Sequence, residues 1–306
     1  MASTERRAWG LALLTVLMWS TVASAFKLSL RYFAPAQLLL VACLTSILLL
    51  SGLLGRQRRL GEALAVWRRR WRLFALLGLL NPALYYLLLF QAYTLLPAQQ
   101  AQAINYTWAI ALSLLAVPFL GQRLRAVDGI AILLAYLGAL IIATRGDITG
   151  LHFDSLRGVG LALCSTLIWA SYWIFNTRQQ EDPLISLLLM FCSSLPVIVL
   201  ACAVLSDFRL LAWQGWAGAI YVGLFEMGFA FVCWLQALRL TRHAARISNL
   251  VFLSPFLSLL FLRFLVGEPI APATPMGLLC IIGALGLQQL GRRSTSKPVS
   301  TDPGSG

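Results

Sequence analysis

Apolar runs of about 20 residues recur along the whole chain, each closed by a short stretch holding Gly, Pro or Arg. A helix needs about 20 apolar residues to cross a bilayer, so the pattern predicts membrane spans rather than core helices. Ten are counted, at 9–30, 35–54, 73–95, 98–120, 128–144, 158–176, 184–205, 216–238, 247–266 and 276–290. Their short linkers suit antiparallel neighbours. The expected fold is all-α and integral to the membrane, with ten transmembrane helices. The last stretch, 291–306, is rich in Ser, Thr, Pro and Gly and reads as a disordered cytoplasmic tail.

Composition sharpens this reading. Of 306 residues, 59% are hydrophobic and 11% charged, where a soluble domain carries about 25% charged residues. The net charge of +13 raises the question of nucleic acid, but the arginines sit in short loops between apolar runs, most densely at 55–72. No loop is long enough to hold a nucleic-acid site. Basic residues beside spans favour the cytoplasmic side and anionic lipid headgroups. With the N-terminus inside, eighteen of the 24 Lys and Arg fall on the inner side. Ten spans with both termini in the cytoplasm, in the cell (inner) membrane, fit that count. Trp9, Trp67, Trp71, Trp213 and Trp216 fall at the expected interfaces. The six cysteines lie inside apolar runs with no CxxC pair, and the two histidines, His152 and His243, fall in loops. Cysteines so placed read as small hydrophobes. No metal site, cofactor or catalytic constellation is visible.

The N-terminus imitates a secretory signal: Arg6-Arg7, an apolar run, then Ala23-Ser24-Ala25. An internal repeat argues that the first span is retained. Gly10-Leu-Ala-Leu recurs as Gly160-Leu-Ala-Leu, and Trp19 recurs as Trp169. Gly78-Leu79 matches Gly223-Leu224, Gln91-Ala92 matches Gln236-Ala237, and Gly121, Gly129 and Gly138 match Gly267, Gly277 and Gly286. The expected halves are 8–144 and 158–290, of five helices each. An odd number makes the second half enter from the opposite side, so the repeats are inverted, as in many alternating-access carriers.

The stretch 219–239 is apolar enough to span, yet carries Glu226 near its middle. A mid-membrane carboxylate costs about 2.5–3.5 kcal/mol on insertion scales, so it faces a bundle interior or a watery path. Ala219, Gly223, Glu226, Ala230, Cys233 and Ala237 share one face, a narrow stripe suited to close packing or a cavity border. A carboxyl there is neutral when dehydrated and charged when wet; it can carry a proton, meet a substrate ammonium, or serve as a structural acid. Asn81 is its counterpart in the first half, and Pro82 strips the Gly78 carbonyl of its helical partner, so a kink is expected. Gln102, Asn105, Tyr106, Ala109 and Ser113 share a face of the fourth span. Gln99 and Gln100 read as wetted at the outer interface. Ser248 and Asn249 begin the ninth span, and Pro255 frees the carbonyl of Val251. Trp19, Trp169, Tyr172 and Trp173 either flank a cavity and stack on a cationic or aromatic substrate, or pack.

These features resemble the paired EamA repeats of the drug/metabolite transporter superfamily, over roughly residues 8–290. The resemblance rests on Gly10 to Trp19, the Gly121-Gln-Arg-Leu turn, Ser254-Pro255, and Gly267-Glu268-Pro269. Gln122 stands where the family usually has Glu; Glu268 keeps it. The resemblance implies a gradient-linked carrier, often an exporter of amino acids or other metabolites. It also implies a central cavity lined by the first, third, fourth, sixth, eighth and ninth spans.

The expected function is a secondary transporter for a small zwitterionic or cationic metabolite, exporting it by alternating access coupled to protons. An anionic substrate would call for a deep basic partner, and no Lys or Arg lies deep in the membrane. The expected site is Glu226, Asn81, Gln102, Asn105, Tyr106, Trp19, Trp169, Tyr172 and Asn249. Partners are a small-molecule substrate and anionic headgroups, with no nucleic acid; a homodimer stays open. A passive channel or an intramembrane enzyme would be the alternatives. The first needs charge rings or a filter loop, and the second a motif such as HExxH or a mid-span His.

Overall fold

A computed structural model describes residues 2–121, 126–150, 153–177, 179–207, 212–241, 247 and 250–293. Among them every regular element is helical. The order is α1 (Ala2–Ser29), α2 (Pro35–Arg56), α3 (Leu60–Gly78), α4 (Tyr85–Leu95), α5 (Ala98–Asn105), α6 (Trp108–Leu120) and α7 (Ala126–Ala143). It continues with α8 (Leu156–Asn176), α9 (Pro183–Leu205), α10 (Trp213–Val222), α11 (Phe229–Leu240), α12 (Ser254–Phe261) and α13 (Ala273–Arg293). Eight helical stretches among the described residues are long and apolar enough to cross a membrane. Two shorter apolar stretches, Leu250–Val266 and Ala273–Gln288, follow them.

Local chemistry sets the ends. Pro35 and Pro183 occupy first-turn positions, where a missing N–H costs nothing. Ser155 caps α8 by accepting from Gly158 N at 3.0 Å, and Asp182 caps α9 by accepting from Leu184 N at 2.9 Å. Gly121 and Gly267 both stop their helices in the left-handed region, at φ 67° and 75°. The match between them in sequence thus has a backbone cause.

Several spans are broken. α3 runs into α4 through a wide turn at Leu79–Leu84, with Asn81 extended at φ −139°, ψ 118°. The kink expected at Pro82 is therefore present. α10 runs into α11 through a second wide turn, Gly223–Gly228, which contains Glu226. The stretch 98–120 divides at Tyr106–Thr107. Pro255 lies in the first turn of α12, after a short tight turn at Leu250–Leu253. It starts a helix there, rather than freeing a carbonyl in mid-span.

One expectation needs correcting. The basic stretch 55–72 is largely helical rather than a loop. α3 begins at Leu60 and kinks at Arg70 (φ −129°, ψ 24°). Leu60, Leu64, Trp67 and Trp71 are exposed along it, at spacings that put them on one face among the arginines. An amphipathic basic segment is helical without being apolar enough to span.

Helices from the two parts of the chain interleave. α1 packs on α10, α11 and α12, α2 on α9 and α10, α4 and α6 on α8, and α7 on α13. Two of the backbone-close contacts adjoin the wide turns. A Cβ at Gly78 would collide with the Met190 carbonyl of α9, and one at Gly223 with the Ala42 carbonyl of α2. One large core gathers Phe26, Leu38, Phe90, Ala101, Tyr172 and Met190.

Candidate functional site

The broken helices converge on Glu226. Its wide turn presents the carboxylate to α4, where the Tyr86 hydroxyl donates to Oε1 at 2.9 Å. Tyr86 is 2% exposed, whereas Glu226 keeps partial access. The neighbouring Tyr85 donates to Asn105 Oδ1 at 3.1 Å, and Asn105 Nδ2 donates to Ser165 Oγ at 3.1 Å. One polar chain thus joins α4, the end of α5, and α8.

Aromatic faces surround that chain. Trp169 lies 4.5 Å from Tyr85, 5.3 Å from Tyr172 and 6.0 Å from Trp173, ring centre to ring centre. Trp108 stacks on Trp173 at 6.4 Å, and Tyr85 meets Tyr86 edge-on at 4.7 Å. Asn105, Tyr106, Trp108, Trp169 and Trp173 are partly exposed.

Asn81 is 3% exposed and sits where the first wide turn opens. The Tyr172 hydroxyl approaches its side chain, yet Asn81 Oδ1 has no hydrogen-bond partner. A buried amide oxygen left so is costly unless something supplies a donor. Tyr106 lies beside Ser254 at the start of α12. An acceptor-rich centre walled by π faces can hold an ammonium group and an aromatic ring together.

The structure therefore brings Glu226, Asn81, Asn105, Tyr106, Trp169 and Tyr172 into one neighbourhood. Gln102 is buried in α5, 8% exposed. Trp19 stands in a different ring group, with Phe231 at 5.6 Å and Trp234 at 5.4 Å. Asn249 and Ser248 lie outside the described residues, as does Gln122. Gln99 and Gln100 correct an expectation: they are 4% and 2% exposed, not wetted, because partners distant in sequence take their amides. Gln99 Nε2 donates to Pro269 O at 2.8 Å, and Gln100 Nε2 to Asp154 Oδ2 at 2.7 Å.

Sequence reasoning missed Tyr85, Tyr86, Trp108 and Ser165. The available signal was the Tyr pair directly after the Asn81-Pro82 break, where a new half-helix begins. The small-residue stripe around Glu226 proves to serve two neighbours. Gly223 meets α2, where Ser46 Oγ donates to its carbonyl at 2.8 Å. Ala230 and Ala237 meet α1. Among the described residues no group of three His, Cys, Asp or Glu could hold a metal ion, and all six cysteines are free.

Comparison with known proteins agrees with this architecture. The model of the EamA-like transporter family matches residues 7–144 and 156–287. An uncharacterized transporter of Archaeoglobus fulgidus is 23% identical over 88% of this chain and 94% of its own length. The aromatic amino acid exporter YddG of Ancylobacter novellus is 25% identical over 87% of this chain and 91% of its own. The uncharacterized transporter YvbV of Bacillus subtilis is 23% identical over 88% and 87%. A crystal structure at 21% identity superposes with a TM-score of 0.62, covering 95% of this chain and 99% of that one, which supports the fold. With both matched segments together spanning most of its length, this chain is a multi-pass membrane protein that belongs to the EamA-like transporter family, a family of carriers of small molecules rather than of enzymes.

Proposed function

We propose that the protein exports a small zwitterionic or cationic metabolite, with aromatic amino acids the first candidates, by alternating access coupled to protons through Glu226. The observation that carries this reading is the Tyr86–Glu226 hydrogen bond at 2.9 Å, set between two broken helices and bordered by Tyr85, Trp169 and Tyr172. The carboxylate suits an α-ammonium group, the π faces suit an aromatic side chain, and Asn81 Oδ1 is a free acceptor. The named function of the Ancylobacter relative points the same way.

Ten spans in two inverted five-helix halves, 8–144 and 158–290, are the architecture of this reading. Support comes from the paired left-handed glycines, Gly121 and Gly267. It also comes from the paired close approaches of Gly78 to α9 and Gly223 to α2, and from a break on each side of the site. Such breaks near the midplane are where carriers of this design hold substrate. Asn81, Gln102, Asn105, Tyr106, Trp169, Tyr172 and Glu226 form the proposed site. Trp19 is assigned to packing on α11, and Asn249 stays a site candidate by sequence. Both termini are cytoplasmic in the inner membrane, and the basic face of α3 meets anionic headgroups.

The test is flux in proteoliposomes, with and without a pH gradient, over a panel of phenylalanine, tyrosine, tryptophan, lysine and glutamate. The expected result is gradient-driven flux of an aromatic member, with a matching rise in melting temperature. Flux of every solute regardless of gradient would replace the carrier by a channel. Preference for glutamate would overturn the charge argument.

A further inference from the structure

At one end of the bundle, charged and amide side chains clasp the corner between α4 and α5. Lys27 Nζ donates to the Tyr93 and Leu96 carbonyls at 2.8 and 2.7 Å, the free acceptors at the end of α4. Glu268 accepts from Ala98 N at 2.9 Å and Gln99 N at 3.2 Å, the free donors at the start of α5. Each charge opposes the helix pole it touches. The Gln99 side chain closes the set. It donates to Pro269 O at 2.8 Å, and its Oε1 accepts from Ala271 N at 3.0 Å and Thr274 Oγ1 at 2.7 Å. Beside it, Gln100 binds Asp154, which pairs with Arg145 at 2.8 Å. Glu268, Pro269, Ala271 and Thr274 come from the second matched segment, and Ala98 to Gln100 from the first.

Burial changes abruptly beside this clasp. Residues 98–104 are all buried, whereas Asn105, Tyr106 and Trp108 are partly exposed. In the described state the α5 residues beside the clasp are buried, and those beyond them are partly exposed. We infer that Glu268 and Gln99 are gate residues: their bonds hold this end of the transport route shut, and rupture of those bonds opens it. The proposal rests on the carrier reading above. Its parts are not duplicated in sequence. The repeat sets Gln122 against Glu268, and Ala244-Ala245 against Gln99-Gln100, so the two ends are gated by different chemistry.

Glu268→Gln tests this with little change of shape. An amide has one oxygen for the two amides of α5, and its NH2 would face a donor. The reporter is Ala101→Cys, one turn inside the clasp, in a chain otherwise free of cysteine and inserted in liposomes of known orientation. A membrane-impermeant maleimide added from the clasp side should label it roughly tenfold faster in Glu268→Gln, the scale of one lost charge-assisted hydrogen bond. An unchanged rate overturns the proposal. Should Glu268→Gln fail to fold, Thr274→Val removes one donor to Gln99 at similar volume. It should raise labelling about threefold, a smaller effect because the lost bond is neutral; no rise would again overturn the gate. A parallel reporter, Asn105→Cys labelled from the opposite side, separates the two readings. Slower labelling there as Ala101→Cys speeds up supports both gate and alternation. A rise at Ala101→Cys with no change at Asn105→Cys upholds the gate and overturns alternating access.

Discussion

A single acid in an apolar helix is conspicuous because almost every neighbour is carbon, and Glu226 was legible for that reason. Its partner was not. Tyr85 and Tyr86 sit in an apolar run where aromatics ordinarily pack, and only the fold shows that one hydroxyl reaches Glu226 and the other Asn105. Gln99 and Gln100 were misread because their partners lie 172 and 54 residues away, a distance that no local pattern spans. The chemistry of the pair gives a prediction. Glu226→Gln can still accept from Tyr86 but cannot ionise. It should fold like the native chain and lose gradient-driven flux by about tenfold or more, as expected when an intramembrane acid carries the coupling. Tyr86→Phe removes one donor and leaves the acid. It should keep the gradient dependence while weakening apparent affinity by roughly fivefold, the worth of one hydrogen bond. Flux and binding measured over a pH series distinguish these outcomes. Full coupled flux in Glu226→Gln would leave it a structural acid.

At the level of helices, the helical stretches were readable to within a few residues at most ends, because apolar length is a strong signal. The breaks were readable only where proline announces them. Leu79–Leu84 contains Pro82, and its kink was anticipated; Gly223–Gly228 contains no proline, and its wide turn was not. Close approaches were half legible. Repetition marked Gly78 and Gly223, but periodicity says nothing of the carbonyls they touch. Those contacts make opposite predictions for similar substitutions. Gly223→Ala would press a methyl on the Ala42 carbonyl and Thr45 of α2, costing about 1–3 kcal/mol by overpacking. Gly10→Ala meets nothing within 4 Å and gains up to about 1 kcal/mol of helix propensity. Thermal melting in detergent, followed by tryptophan fluorescence, should fall for the first and hold or rise for the second. Equal behaviour would mean that α2 and α10 are not in backbone contact.

For the molecule as a whole, charge predicts orientation. Arg59, Arg69, Arg70 and Arg239 gather at one end, paired with Glu181 and Asp182 at 3.0–3.6 Å, while the Glu268 clasp occupies the other. By the excess of basic residues the arginine end is expected on the cytoplasmic side. A reporter fused at the C-terminus should read inside, and one inserted between α7 and α8 should read outside; the reverse pattern would invert the assignment. That these arginines share one end was legible, because lysine and arginine counts survive any error in helix ends. The interleaving of α1 with α11 and α2 with α9 was not, since pairing between halves leaves no periodic trace. One further consequence belongs to the two wide turns. Each residue of an α-helix advances the side chains by about 100°, and a wide turn inserts an extra step. Tyr86 closely follows the first wide turn and Glu226 lies within the second, so both turns bear on their meeting. Deleting one residue from the second turn, which holds no proline, would favour regular winding and rotate the half-helix beyond it by about 100°, turning its inward face aside with the other side chains intact. What the carrier accepts is then governed by phase as much as by composition, and a lineage could acquire new specificity through a single-residue insertion or deletion.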